Sequence, residues 1–327
     1  MRTVSESVVK RLEAQSAAPL FRNQAAAWLH KIANRKRNPV RPRTLQSYTN
    51  QLSKNILPHI GQLPLDVVGN AVVKGVVETL VQTGLSAGTI QLNLIIIKQI
   101  RASSQNENGE QLYPYTWNTE VIDAPVVDKK AQKRPIASAQ AVQDGLSCAC
   151  ASQDTKLLLA VLAGTGMRIQ EALAIIRVDA ETVFQPYFNY WFPAESKIIV
   201  NGQRDKNGFV DTKTPAGHRE VDLPVRLNNR LALITQTWGR NLVFNKSEGT
   251  YRKTLIKCGI VGGFHSLRRF RVTHLRTEGV PDPIVHFWVG HEDKTVTDGY
   301  TIVKTEIQKR KDWVEKVGLG FTLPEAI

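Results

Sequence analysis

The chain has 327 residues, 42% of them hydrophobic, enough to bury at least one full core and, against typical domain sizes, two domains. Its formal net charge of +14 points to a polyanionic partner, because Lys and Arg that neutralise phosphates release condensed counterions. The longest apolar run, Leu157 to Gly164, is far short of the roughly 20 residues that span a bilayer, and residues 1–30 carry Arg2, Lys10, Arg11, Glu13 and Arg22 without a signal-peptide core. Membrane and secreted classes are therefore set aside in favour of a soluble, cytoplasmic protein.

Residues 1–14 read as a leader too short to fold alone. Phe21, Ala25, Trp28, Leu29 and Ile32 then recur at helical spacing and predict a first helix. Asn34 to Arg43 is a basic loop broken by Pro39 and Pro42. Its Arg35, Lys36, Arg37, Arg41 and Arg43 are candidate DNA contacts, against the plainer reading of a solvated charged loop. Thr44 suits the N-cap of a second helix carrying Leu45, Tyr48, Leu52 and Ile56. Two more helices are expected near residues 67–83 and 86–103, the latter opened by Ser86 or Thr89 and presenting Ile90, Leu94, Ile97 and Ile100 on one side. Residues 15–110 thus predict a small four-helix domain. From Asn106 the pattern dissolves into Asn, Glu, Asp, Pro and Lys, so residues 111–135 are expected to form an exposed linker.

The second domain, 136–327, opens with helical patterns at about 138–152 and 155–176. Short alternating segments between about 182 and 224 predict a small antiparallel sheet, and helical periodicity returns from Arg226 to the Trp313 region. The expected fold is multidomain and mainly α. Both parts are basic, with 18 Lys+Arg against 9 Asp+Glu in 1–135 and 25 against 20 in 136–327, as suits a protein that clamps DNA from two sides. Cys148, Cys150 and Cys258 make neither an even disulfide set nor a zinc spacing, and buried free thiols are expected.

Four short motifs carry side chains suited to phosphate chemistry. Thr165-Gly-Met-Arg168-Ile-Gln-Glu171 sets Arg168 and Glu171 three apart on one helical face, just after a glycine pair that can turn the chain; a plain surface ion pair is the bland reading. His265-Ser-Leu-Arg268 likewise puts two phosphate-capable groups on one face, or a simple basic patch with Arg269 and Arg271. Gly290-His291 follows the apolar stretch Ile284 to Val289, and Tyr300 lies nine residues on; one of seven tyrosines, it is by default a packing residue. Asp211-Thr-Lys213-Thr-Pro-Ala-Gly217, followed by the alternating Arg219 to Pro224, reads as a β-hairpin with Lys213 near its tip; Lys206, before Gly208, competes for that position.

In order and spacing these motifs resemble the tyrosine recombinase, or phage integrase, family over most of the chain. Thr-Gly-Met-Arg168-Ile-Gln-Glu171 is similar to the family's first box and His265-Ser-Leu-Arg268, with Thr273-His274, to its second. Gly279, Val289-Gly-His291 and Tyr300 continue the match, and Thr212-Lys213-Thr214 with Arg219-Glu-Val resembles its lysine hairpin. The first domain resembles the core-binding domain through Thr44, Tyr48 and Leu52, then Ser86, Thr89 and Leu94. Gln170 stands in place of a more usual small polar residue, Ser266 in place of an acidic one, and Gly299 precedes the tyrosine.

The resemblance implies a SAM-like core-binding domain and a catalytic domain of the DNA breaking-rejoining type. It implies Arg168, Lys213, His265, Arg268 and His291 as catalytic residues, Tyr300 as nucleophile and Glu171 in support. Two guanidiniums would hold the non-bridging phosphate oxygens, His265 would accept the tyrosine proton, Lys213 would protonate the leaving 5′ oxygen, and His291 would donate to phosphate. A phosphotyrosyl ester keeps the energy of the broken bond, so no cofactor is implied. No phosphate-binding glycine loop with lysine and no carboxylate cluster for two metals is found.

The implied partners are double-stranded DNA bearing a specific site, three further protomers in a tetramer, and accessory DNA-bending or directionality proteins. The tail, with Ile302, Val303, Ile307, Trp313, Val314, Val317 and the basic run Lys309-Arg-Lys311, predicts an amphipathic helix that either docks on a neighbour or closes its own domain. The role implied is integration of a phage or other mobile element. The alternatives are a resolving recombinase, a type IB topoisomerase, a resolvase of chromosome ends, or a non-catalytic DNA-binding regulator of the same fold. Because the core-binding half begins almost at once, no N-terminal arm-binding module is expected.

Overall fold

Helix α1 (Phe21–Asn34) forms because Phe21, Ala25, Trp28 and Ile32 make one buried stripe. That stripe belongs to a computed structural model of the chain, which describes residues 17–37, 39–128, 134–238, 241–291 and 303–325. The leader and Tyr300 lie outside the described residues. Backbone proximity divides the chain into two compact units, Met1–Gln132 and Lys133–Ile327.

In the first unit, α2 (Pro42–Gln51) runs through a π-turn, Leu52–Ile56, into a last turn, Leu57–Ile60. Its N-cap is Arg41, not Thr44: Pro42 has its φ preset for a first helical turn and needs no N–H there, so the helix starts ahead of the threonine. Helices α3 (Asn70–Gln82) and α4 (Ala87–Ala102) follow, and Ser86 caps α4 by accepting the Thr89 N–H. Arg101, buried at the end of α4, donates to the carbonyls of Leu65, Asp66 and Val68 and so ties that turn to the helix.

The expected linker is shorter than 111–135. Tyr113, Trp117, Ile122 and Ala124 pack on the helical core, and the Tyr115 hydroxyl accepts the Asn70 N–H at 2.8 Å under the Arg101 guanidinium. Asn118 caps a one-turn helix, α5 (Thr119–Ile122). The polar composition of this stretch concealed three aromatics, each large enough to seek burial.

The second unit is built on α7 (Gln153–Thr165), buried along its whole length from Leu157 to Thr165, which is why its apolar residues go all the way round. It packs against α6 (Ala139–Ser147), α9 (Val225–Thr235), α10 (Glu248–Lys257) and α11 (Phe264–Thr277). The helix read over 155–176 is broken by Gly166 at φ +70°, and a short helix α8 (Ile169–Ala172) and strand β1 (Ile175–Arg177) follow. At that φ a side chain is strained, and a Cβ would also crowd Arg271 and Val289.

The main sheet has the order β1, β2 (Asn189–Phe192), β3 (Lys197–Val200), β6 (Arg219–Asp222). It is mixed rather than wholly antiparallel, because β1 runs parallel to β2. A separate hairpin pairs β4 (Gly202–Asp205) with β5 (Gly208–Asp211). Its tip is Lys206-Asn207; Lys213 lies instead in the exposed loop between β5 and β6. Finally α12 (Asp282–Val289) and α13 (Ile307–Val317) pack together: Val303, Val314 and Val317 are buried with Leu275, Ile284, Val285 and Trp288. Of the two readings of the tail, α13 thus satisfies the second: it closes its own domain. Arg310, read as part of a basic run, is fully buried.

Candidate active site

The candidate catalytic residues that the structure describes sit on separate elements of the second unit. Arg168 is not inside a helix beside Glu171 but at the N-cap of α8, where its N–H donates to Glu171 Oε2 at 2.9 Å and its Nη1 to Oε1 at 2.7 Å. Glu171 is buried, and its second partner is Arg219, whose Nη2 donates to Oε2 at 2.8 Å from the first position of β6. Burial alone would raise the Glu171 carboxyl, but Arg219 and then Arg168 overturn that and hold it down to about 2.

Arg268, one turn into α11, bridges two loops. Its Nη1 donates to Gly166 O at 2.8 Å and its Nη2 to Val289 O, so it ties the turn before Arg168 to the turn before His291. Arg168 Nη2 reaches Gly290 O at 3.4 Å, and Arg219 Nε donates to Trp288 O at 2.7 Å. Three guanidiniums therefore converge on the C-terminal end of α12. Gly290 makes this possible: it takes φ +65°, and a Cβ there would lie 2.9 Å from both Ala216 O and Arg219 Nη1.

Among the described residues the charges do not balance. Arg168, Arg219 and Arg268 share one carboxylate, and the Arg168 side chain remains 27% exposed, so the cluster offers uncompensated positive charge to an anion. Burial and the Arg168 cation lower Arg268 to about 9, which leaves it charged at neutral pH. Of its five N–H groups, two bonds to carbonyls leave others for a ligand.

His265 stands one turn before Arg268 on α11. Burial, then the positive charges of Arg268, Arg269, Arg168 and Lys213, push its imidazole below the ordinary histidine range. It is neutral at pH 7 and suited to accept a proton. The same causes act on His291, just past α12: burial, then Arg268, His286, Arg168 and Arg276 lower it to about 4. Lys213 is exposed on the β5–β6 loop, and its charge is felt at His265, so it too belongs to this cluster. Arg168, Glu171, His265, Arg268, His291 and Lys213 are thus brought together; Tyr300 lies outside the described residues.

Sequence reasoning missed Arg219 as a site residue. Its side chain is only 1% exposed, the least of the three guanidiniums with Glu171. The signal was there in the alternation of β6, where Arg219, Val221 and Leu223 occupy the inward positions. An arginine on the buried register of a strand needs an anion, and Glu171 is that anion.

Arg35, Lys36, Arg37, Arg41 and Arg43 are in the first unit, all exposed, in the α1–α2 connection and the first turn of α2. No described helix is long and apolar enough to cross a membrane.

With a helical unit followed by a helical unit that carries a small mixed sheet on the page, the chain can be set beside known proteins. No protein-family model matches the sequence, and no curated protein matches it. Among solved structures, the integrase of transposon Tn1549 in complex with transposon right end DNA is similar to this chain with TM-score 0.62 and 16% identity over 90% of this chain and 94% of that one. Lambda integrase, as a dimer bound to a COC′ core site, is similar with TM-score 0.60 and 12% identity over 93% and 83% of the two chains. Lambda integrase as a tetramer bound to a Holliday junction gives TM-score 0.61 at 12% identity, over 91% and 81%. The fold of the chain is the fold of these integrases.

Proposed function

We propose that this protein is a site-specific DNA recombinase, an integrase that cleaves and rejoins DNA strands by transesterification through Tyr300, serving a phage or another mobile element. The observation that carries the reading is the cluster of Arg168, Arg268, His265, His291 and Lys213 around the buried Glu171–Arg219 pair, cationic overall and built on an integrase fold. The solved relatives are DNA complexes, one of them a tetramer on a Holliday junction, which supports DNA as the partner and a tetramer as the working assembly.

The chemistry follows from the groups. The Tyr300 oxygen attacks a backbone phosphorus and forms a phosphotyrosyl ester at the DNA 3′ end while the bond to the 5′ oxygen breaks. Arg168 and Arg268 hold the non-bridging oxygens as charge builds in the five-coordinate transition state. Neutral His265 accepts the phenol proton, Lys213 delivers a proton to the leaving 5′ oxygen, and His291, also neutral, donates an N–H to phosphate. Glu171 and Arg219 touch no reacting atom in this scheme: they position Arg168 and the Gly290 turn. Attack by a 5′ hydroxyl from the second duplex reverses the step on a new partner.

The test is a nicked suicide substrate carrying the element's attachment site, incubated with wild type and with Tyr300→Phe and run on a denaturing gel. A covalent protein–DNA band in wild type that disappears in Tyr300→Phe is the expected result. Tight, site-specific binding with no covalent band in wild type overturns it in favour of a DNA-binding regulator.

A further inference from the structure

The second unit brings all three cysteines of the chain to one place, although Cys258 is distant from the other two in sequence. Cys148 and Cys150 flank a turn between α6 and α7, and Cys258 is the C-cap residue of α10. Their Sγ atoms lie within 4.8 Å of one another, with Cys150 Sγ 3.4 Å from Cys258 Sγ. Cys148 and Cys150 are joined as a disulfide and Cys258 is the free thiol, so the expectation of three buried free thiols is corrected. Nor are the three equally hidden: Cys258 is buried, Cys148 half-buried and Cys150 exposed. Spacing rules missed the grouping because Cys258 arrives from another helix.

Nothing in the DNA chemistry uses these sulfurs. We propose that the reduced Cys148, Cys150 and Cys258 form a three-thiolate site for a thiophilic cation, Zn²⁺ in particular. A cation bound by thiolates at about 2.3 Å sets its sulfurs roughly 3.8 Å apart, a separation within the spread already present. The Cys150 N–H already donates to Cys148 Sγ at 3.3 Å, a bond that stabilises a thiolate there. Among the described residues no carboxylate or imidazole joins the group, and three sulfurs select a soft cation over Mg²⁺ or Ca²⁺. Exposed Cys150 leaves an entry path and a fourth position open to water or another exogenous donor.

The balance is simple. A small-molecule dithiol reductant cleaves the Cys148–Cys150 bond, leaving two protein thiols and a cyclic disulfide of the reductant. Zn²⁺ then forms three S–Zn bonds as three thiol protons pass to solvent. The bound ion would join the end of α10 to the α6–α7 turn, two elements that both pack on α7.

The experiment uses the full-length, tag-free chain, reduced and handled without oxygen. Co²⁺ is titrated in and the near-ultraviolet thiolate-to-cobalt charge-transfer band recorded, Zn²⁺ is then added in competition, and zinc retained after gel filtration is measured. The expected result is a band in wild type that Zn²⁺ abolishes, one retained zinc per chain, and neither in Cys150→Ser. Cys150 is exposed, so that variant keeps its fold, which far-ultraviolet circular dichroism checks. Cys258→Ser is expected to behave alike. A fully reduced wild type with no charge-transfer band and no retained zinc overturns the proposal and leaves the cysteines a redox pair with a spectator thiol. A band that persists in Cys150→Ser overturns it as well, since other residues would then hold the metal.

Discussion

Strand β6 carries two arginine–carboxylate networks that do opposite things. At its first residue, Arg219 joins Glu171, Arg168 and the Arg268 neighbourhood, where among the described residues cations outnumber carboxylates and Arg168 is partly open to solvent. At its other residues, Glu220 and Asp222 receive a fully buried Arg310, with Trp288 Nε1 also donating to Asp222 and Lys197 beside Glu220. There Arg310 is sealed from solvent among carboxylates and carbonyls, and Lys197 pairs with Glu195 as well. Arg310 also donates to the carbonyls of Val303 and Lys304, and so anchors that turn to α13. The first network is open to solvent at Arg168, whereas the second is a sealed clamp.

The sharpest way to break that comparison is to remove one arginine from each network. Arg310→Leu leaves Asp222 buried beside too few donors and is expected to cost about 3–5 kcal/mol of unfolding free energy, read by denaturant titration. Arg168→Ala, by contrast, leaves Glu171 its Arg219 partner, so the unfolding midpoint moves little while cleavage of the suicide substrate falls by about 10²–10³-fold. If Arg168→Ala unfolds the protein as readily as Arg310→Leu, the two networks are not different in kind.

A smaller effect concerns pH. The cations that make the open network attractive to phosphate, together with burial, lower His265, so its neutral, proton-accepting form persists to more acidic pH than in an ordinary histidine. The cleavage rate is therefore expected to hold as pH falls past about 6.5 and to drop only below it. A single-turnover pH profile with its midpoint at or above that value contradicts the assignment of His265 as base. The smallest expected effect lies in the first unit: Arg35→Ala or Arg37→Ala should each lower DNA affinity without regard to sequence and reduce the slope of log affinity against log salt by about 1, measured by fluorescence anisotropy.

Much of the site was legible in the chain itself because its motifs are local. Arg168 with Glu171, His265 with Arg268, and Gly290 with His291 each lie within four residues of one another, and short-range spacing is what sequence displays. The helices of the first unit were legible for the same reason, since α1, α3 and α4 bury residues at regular intervals. The pairings of Arg219 with Glu171, Arg310 with Asp222, and Cys150 with Cys258 span 48, 88 and 108 residues. No periodicity reports on them. The turn at Lys213 was read as a hairpin tip, whereas β5 pairs with β4 and β6 with β3, a division between two sheets that alternation alone does not express.

By itself, then, the sequence determined the helices, the domain order and the residue types suited to phosphate chemistry, because backbone propensity and side-chain spacing act over a few residues. Only the tertiary structure decided which arginines are open and which are sealed, that a polar stretch after α4 folds back through its aromatics, and that three scattered cysteines meet. Those outcomes depend on what each side chain finds across the core, and burial turns a charge that is cheap in water into one that must have a partner.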